Sequence, residues 1–218
     1  NYPGARAIMK CVYEGMLVPF DMALKIESRY FTSVLQTTEA SMMIRTLFMS
    51  MQELNKGARR PASVGKTEIK KIGVLGAGLM GAGIAYVSAK AGIEVVLIDR
   101  DQEAADKGKS LSESLEDKAI KKKRSTAEKK EAILSKISAT ADYSSLSDVD
   151  MVIEAVFEDS NVKKAVTEQA EAHMPEDAIF ASNTSTIPIS DLAEFSKRQE
   201  QFVGIHFFSP VNMMMLVE

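Results

Sequence analysis

The chain has 218 residues, 45% apolar and 26% charged, with a net charge of −3 at pH 7. This composition suits a folded globular protein and excludes a global attraction to nucleic acid or to an anionic membrane surface. A single cysteine, Cys11, rules out an internal disulfide framework and fits a reducing compartment, bacterial cytoplasm or organelle matrix.

No apolar run approaches the roughly 18 residues of a membrane span. With two histidines and one cysteine, a His/Cys zinc site is not expected, and no metal is assigned. The sequence opens on Asn1 with no signal-like segment and stops at Glu218 inside what reads as a structural element, so it is expected to be a piece of something longer.

Residues 1–60 carry no strand pattern. Ala5 to Met16 reads as a helix, and Val18-Pro19-Phe20 connects it to a second one, capped by Asp21 and running to about Leu35. Thr37 or Thr38 caps a third. There Ala40, Met43, Ile44, Leu47, Phe48, Met51 and Leu54 recur at spacings of three and four, one broad apolar stripe that must pack against something. The methionines read as core filling. Gly57 ends the helix, and residues 61–67 continue a linker, rich in small residues, that starts there. A second unit is expected over 68–218.

That unit opens on KIGVLGAGLMGAGIAYVSAKAGIEVVLIDR, Lys71 to Arg100. An apolar run, Ile72 to Leu75, turns through Gly76-Ala77-Gly78-Leu79-Met80-Gly81 into a small-residue helix reaching about Lys90. Gly92 ends the helix, and a second apolar run, Ile93 to Ile98, closes on Asp99. Gly76 permits the sharp turn, Gly78 lets a pyrophosphate approach the backbone, and Gly81 lets the helix pack closely on the strand. The helix N-terminus offers free N–H groups and the positive end of its dipole. Asp99, 18 residues past Gly81, is placed to accept from both ribose hydroxyls and to repel a 2′-phosphate. The expected cofactor is therefore NAD rather than NADP.

From Asp101 to about Lys136 the chain is charged and reads as two helices joined near Arg124 to Thr126, capped by Ser125 or Thr126. This pair is expected to project as a hairpin. Ser114, Lys118 and Lys121 share one face of it, either solvated or turned to a phosphate-bearing substrate. Ile137 to Thr140 is a strand, Asp142 to Asp150 a polar connection, and Met151 to Val156 an apolar run leading into Phe157-Glu158-Asp159. Asn161 to Met174 is helical and stops at Pro175. Ala178 to Ser182 is a strand followed by the polar loop Asn183-Thr184-Ser185-Thr186. Ile189 to Ser196 is a short helix, and Phe202 to Phe208 a last strand carrying His206. Ser209-Pro210 turns the chain into Met213 to Val217 and Glu218. Alternating strands and helices define an α/β fold, a Rossmann-type doubly wound, mostly parallel sheet preceded by a helical segment.

A nicotinamide-dependent oxidation needs a base for the hydroxyl proton. Imidazole exchanges protons near neutral pH, which makes His206 the natural candidate. Glu218 is placed to hold its tautomer and stabilise the imidazolium. Ser185 can donate to a substrate oxygen or simply cap its loop. Glu158 and Lys163 either line the crevice or form a helix-start pair. His173, at a polar helix end, reads as surface.

The runs VLGAGLMGAGIA, VIEAVFED with Lys163, ASNTSTIPIS and GIHFFSPVNMMMLVE, in that order, resemble 3-hydroxyacyl-CoA dehydrogenases of fatty-acid β-oxidation. The phrases YEGMLVPFDMALKIESRYF and MMIRTLFMSMQELNK resemble the helical segment that follows the enoyl-CoA hydratase part of multifunctional β-oxidation enzymes. The resemblance implies NAD-dependent oxidation of L-3-hydroxyacyl-CoA to the 3-ketoacyl-CoA. It implies His206 as base, Glu218 as its paired acid and Ser185 as the contact to the substrate oxygen. Gly76, Gly78, Leu79, Met80, Gly81, Asp99, Glu158, Lys163 and Ser185 would border the cofactor, and Ser114, Lys121 and Lys163 coenzyme A. Ser209 departs from the family's common asparagine in HFFNP.

The family also implies a following helical domain that covers the acyl chain, adds a catalytic asparagine and mediates dimerisation, and a thiolase partner subunit for the parent. Without that domain the present chain is expected to bind dinucleotide but to turn over slowly. The alternatives are another NAD-dependent dehydrogenase of 3-hydroxyacid type, or a non-catalytic relative that kept the fold.

Overall fold

The computed structural model describes residues 2–58 and 60–218. Asn1 and Arg59, the latter in the predicted linker that starts at Gly57, lie outside the described residues. The chain divides into two compact units, Asn1–Lys66 and Thr67–Glu218.

The first unit is helical: α1 (Pro3–Gly15), α2 (Phe20–Leu35), α3 (Thr38–Met43) and α4 (Met51–Asn55), with a π-helical stretch, Ile44–Ser50, joining the last two. Pro3 opens α1 from its first turn, where a missing N–H costs nothing. Asp21 does not cap α2. That helix starts one residue earlier, at Phe20 after Pro19, and Asp21 sits in its first turn facing the helix dipole. Thr37 is the cap of α3, its Oγ1 accepting from Ala40 N at 3.2 Å. The helix predicted to run unbroken along the apolar stripe is interrupted by the π stretch, which shifts the phase of its faces. Leu47 and Phe48 remain 68% and 61% exposed, so the stripe finds no cover within this unit.

The second unit is a six-stranded parallel sheet: β1 (Lys71–Leu75), β2 (Glu94–Ile98), β3 (Ile137–Thr140), β4 (Met151–Glu154), β5 (Ile179–Ser182) and β6 (Phe202–Gly204). The order β3-β2-β1-β4-β5-β6 is that of a doubly wound sheet, reversing direction between β1 and β4. Both faces are buried, as parallel sheets require. Ile72, Val74, Val95, Leu97, Ile153 and Ala181 pack on one side with Ile84, Ala85 and Ala89 of α5 (Leu79–Lys90). The alternating residues Leu75, Val96, Ile98, Val152 and Phe180 pack on the other with Leu146 and Ala170.

The connection after β2 is α6 (Gln102–Lys121) and α7 (Ala127–Leu134). It does not stand clear of the domain as expected. Ala105, Gly108, Ser112 and Glu116, spaced by three and four, are buried along one face of α6. Buried Glu116 accepts from Tyr86 Oη at 2.6 Å and from Ser125 Oγ, tying the α6–α7 corner to α5. Ser125 is thereby occupied, and Thr126 caps α7.

Further along, α8 (Ser160–Glu171) is capped by Asp159, which accepts from Asn161 N and Val162 N. It ends a turn short of the predicted Met174. The short helix α9 covers Ile189–Ala193. Two strands also end early. β4 stops at Glu154, whose own carboxylate takes Val156 N at 2.8 Å and so turns the backbone out of the sheet. β6 stops at Gly204, and His206 lies beyond it in a different pairing.

Candidate functional site

The turn after β1 behaves as its glycines require. Gly76 has φ +91°, a left-handed conformation that favours glycine. A Cβ on Gly81 would stand 1.8 Å from Gly76 O, so the helix can approach the turn only without one. A Cβ on Gly78 would meet nothing within 4 Å, which leaves open space over the backbone at the N-terminus of α5. Gly78 is the N-cap there and no side chain satisfies the first N–H groups of the helix. Asp99 follows β2 and accepts from Ala77 N at 2.6 Å and from Arg100 N at 2.7 Å. Its carboxylate is fixed against the turn with lone pairs to spare. Gly78, Leu79, Asp99 and Ser114 together line a groove of about 740 Å³. Met80 is half-buried, packing on the core beneath. Open backbone, an uncapped helix start and an anchored acid on one groove fit a dinucleotide.

The predicted face of α6 is divided between two hollows. Ser114 borders the groove above, and Lys118 borders a second one of about 790 Å³ with Lys90, Lys122 and Lys129. Lys121 is exposed at the end of the helix.

At the carboxyl ends of β4, β5 and β6 a second constellation forms. His206 and Glu218 exchange both backbone hydrogen bonds, N to O at 2.7 and 3.0 Å, and Phe207 bridges Val217 antiparallel. Residues opposed in this way project to the same face. Glu218 Oε2 therefore stands 3.6 Å from His206 Nδ1. The other ring nitrogen, Nε2, lies 3.2 Å from Ser185 Oγ. Phe208 meets the imidazole edge-on at 4.8 Å between centroids. Asn183 Oδ1 accepts from Phe207 N at 2.9 Å, which locks the histidine segment to the loop after β5. The apolar run that starts at Met213 forms no regular strand: a single antiparallel bridge at Val217 brings Glu218 beside His206.

Glu158 organises the Ser185 loop. Its Oε1 accepts from Thr184 Oγ1 at 2.6 Å, Ser185 N at 2.9 Å and Thr186 N at 3.1 Å. Burial would push its carboxyl up, but these bonds and Lys163 outweigh that and hold it down at about 2. Lys163, expected at the cofactor and coenzyme A side, is enclosed instead: its side chain is 1% exposed, bonded to Glu154 at 2.8 and 3.0 Å and to Glu158 at 3.2 Å. Its ammonium reaches no groove directly. Glu154, Asn183 and Thr184 escaped the sequence reading. A signal existed for the first, since Glu154 is a carboxylate inside the apolar run MVIEAV, where only a buried partner can compensate it.

Because the Glu158 carboxyl lies below its ordinary 4.5 in the fold, the unfolded chain binds more protons in acid. Its stabilisation is complete above about 4.5 and is lost as pH falls through about 2. Acid unfolding of Glu158→Gln should therefore be flatter than that of the parent across this window. Parallel curves in circular dichroism would contradict the assignment.

Together the two constellations define a dinucleotide-dependent dehydrogenase domain. The family model described as "3-hydroxyacyl-CoA dehydrogenase, NAD binding domain" matches residues 71–218, and the chain belongs to that family. It is 42% identical over all 218 residues to "Fatty acid oxidation complex subunit alpha" of Pseudomonas syringae pv. tomato and of Pseudomonas aeruginosa. The chain spans about 30% of the length of these relatives.

Among solved structures it resembles (S)-3-hydroxybutyryl-CoA dehydrogenase from Ralstonia eutropha. The TM-score is 0.67 at 39% identity, over 69% of this chain and 53% of that one. It also resembles the dehydrogenase part of multifunctional enzyme 1 from C. elegans, with TM-score 0.62 at 29% identity, over 69% and 34%. NAD is accordingly the cofactor of the domain. Among the described residues no helix is long and apolar enough to cross a membrane.

Proposed function

We propose that the protein carrying this chain oxidises L-3-hydroxyacyl-CoA to 3-ketoacyl-CoA in fatty-acid β-oxidation. The observation that carries this reading is the chain of contacts Ser185 Oγ–His206 Nε2 and His206 Nδ1–Glu218, at the strand ends beside the glycine turn. Gly76, Gly78, Leu79, Met80 and Gly81 hold the pyrophosphate and Asp99 the adenosine ribose, with Glu158 bordering the cofactor and Lys163 behind it. NAD bound there would supply the acceptor for the C3 hydride.

The protein's own part is proton handling. The substrate 3-hydroxyl enters between Ser185 and His206, which already face each other. Ser185 donates to the substrate oxygen and orients it. With Nδ1–H directed at Glu218, the free lone pair is on Nε2, which accepts the hydroxyl proton. Glu218 then stabilises the imidazolium. Ser114 and Lys121 contact coenzyme A.

The chain is part of a longer multifunctional protein in which residues 1–60 close an enoyl-CoA hydratase part, and it works in the cytoplasm of a bacterium with a thiolase as partner subunit. The names of the relatives, alpha subunits of a fatty acid oxidation complex, support a multi-subunit assembly concerned with fatty acid oxidation. A homodimer is compatible with it.

An NADH titration by nicotinamide fluorescence, followed by acetoacetyl-CoA, tests the reading. Losing the Asp99 carboxylate removes bonds worth about 1.5–3 kcal/mol, so Asp99→Ala should weaken NADH roughly 10- to 100-fold. The variant should also narrow the gap between NADH and NADPH. Equal affinity of the parent for both dinucleotides would remove Asp99 from the ribose site. Absence of NADH oxidation by the full-length protein would favour a non-catalytic relative.

A further inference from the structure

Lys163, Glu154 and Glu158 raise a question that proton transfer alone does not answer. Glu154 and Lys163 are each 1% exposed, buried at the carboxyl ends of the interior strands β4 and β5. Burying two opposite charges is often no better than burying apolar groups of the same size, so such a pair is weak evidence for stability. This one also leads somewhere. Glu154 closes β4 and holds Lys163 through both oxygens, while its Oε2 also accepts from Ser182 Oγ at 2.6 Å at the end of β5. The third contact of the ammonium is Glu158 Oε2 at 3.2 Å. The opposite oxygen of Glu158 takes Thr184 Oγ1, Ser185 N and Thr186 N, three consecutive residues of the loop. That loop carries the hydroxyl facing His206 Nε2.

We propose that Glu154, Lys163 and Glu158 form a positioning relay for Ser185, in which Glu154 anchors the ammonium, the ammonium orients the Glu158 carboxylate, and the carboxylate sets the backbone of the Ser185 loop against His206. The inference rests on the reading of Ser185 and His206 given above. Glu154 is a positioning residue here: it touches neither substrate nor cofactor. The geometry explains why a lysine is needed. With both Glu154 oxygens on one side of it, the ammonium still has a donor for Glu158, which a neutral side chain of that length lacks.

The test is a double-mutant cycle in the full-length enzyme, with acetoacetyl-CoA and NADH as reactants and dissociation of NADH followed by fluorescence. A displacement of about 1 Å at a reacting group can cost on the order of 10²-fold. Lys163→Met is expected to lower turnover by about that much while changing NADH affinity little. In a Ser185→Ala background the same substitution should cost under about twofold, because the group it positions is gone. A purely structural role would not produce that loss of effect.

Should Lys163→Met leave Glu154 unpaired and the protein unfolded, Glu154→Gln with Lys163→Met removes both buried charges and is expected to behave alike. Glu158→Gln, on a carboxylate side chain that is 35% exposed, probes the far end of the relay in the same two backgrounds. Equal losses in the parent and in the Ser185→Ala background would overturn the relay and leave the active-site reading intact. Unchanged turnover on Ser185→Ala alone would overturn both, and the two failures are thus told apart.

Discussion

His206→Gln in the full-length enzyme is expected to lower turnover by about 10²- to 10⁴-fold, the usual contribution of a positioned general base. The affinity for NADH should be unchanged. Glutamine keeps hydrogen-bonding capacity at a similar reach but cannot take up a proton at neutral pH. The backbone pairing that holds this position, His206 N to Glu218 O and Glu218 N to His206 O, does not depend on the side chain. The fold should therefore tolerate the change. Glu218→Gln should give a smaller loss, because it removes the charge that stabilises imidazolium but leaves the base. The measurement is steady-state oxidation of NADH by acetoacetyl-CoA with a parallel fluorescence titration. Turnover within a few-fold of the parent would sink the assignment of His206 as base.

The second large effect separates two glycines by the different tasks that the motif gives them. A Cβ on Gly81 would lie 1.8 Å from Gly76 O, so Gly81→Ala must push α5 off the turn. Overpacking of this kind costs about 1–3 kcal/mol, roughly 2–12 °C in midpoint for a unit of this size. NADH binding should fall with it. Gly78 has nothing within 4 Å of its Cβ direction, so Gly78→Ala should leave the thermal midpoint unchanged. The methyl group instead occupies the space intended for the pyrophosphate. Losing a single charge-assisted bond to phosphate costs about 1.5–3 kcal/mol, or roughly 10- to 100-fold in NADH affinity. Calorimetry and fluorescence titration of the two variants decide the matter. If Gly78→Ala binds NADH as the parent does, the pyrophosphate does not lie over that turn.

The division between what was legible and what was not follows the range of the interactions concerned. The strand, glycine turn, helix, strand and acid of residues 71–99 could be read directly, because each piece rests on backbone conformation and on neighbours close in sequence. The doubly wound sheet followed from apolar runs alternating with helices, and the sheet order agrees with it. Where two readings stayed open, or the wrong one was drawn, a partner elsewhere in the fold decides. Thr126 rather than Ser125 caps α7 because Glu116 holds Ser125, a contact across nine positions. The apolar run containing His206 looks like one strand, yet it leaves the sheet after Gly204 and pairs with the segment ending at Glu218.

Sequence by itself therefore determined the dinucleotide turn, the fold class and the residue types able to do the chemistry, since these depend on local geometry and intrinsic acidity. Only the tertiary structure decided that Lys163 is buried between two carboxylates, that Glu154 belongs beside it, and that Ser185, His206 and Glu218 meet. Those contacts join residues many positions apart through strands whose order no local pattern records, and a buried charge becomes interpretable only when its partner is known.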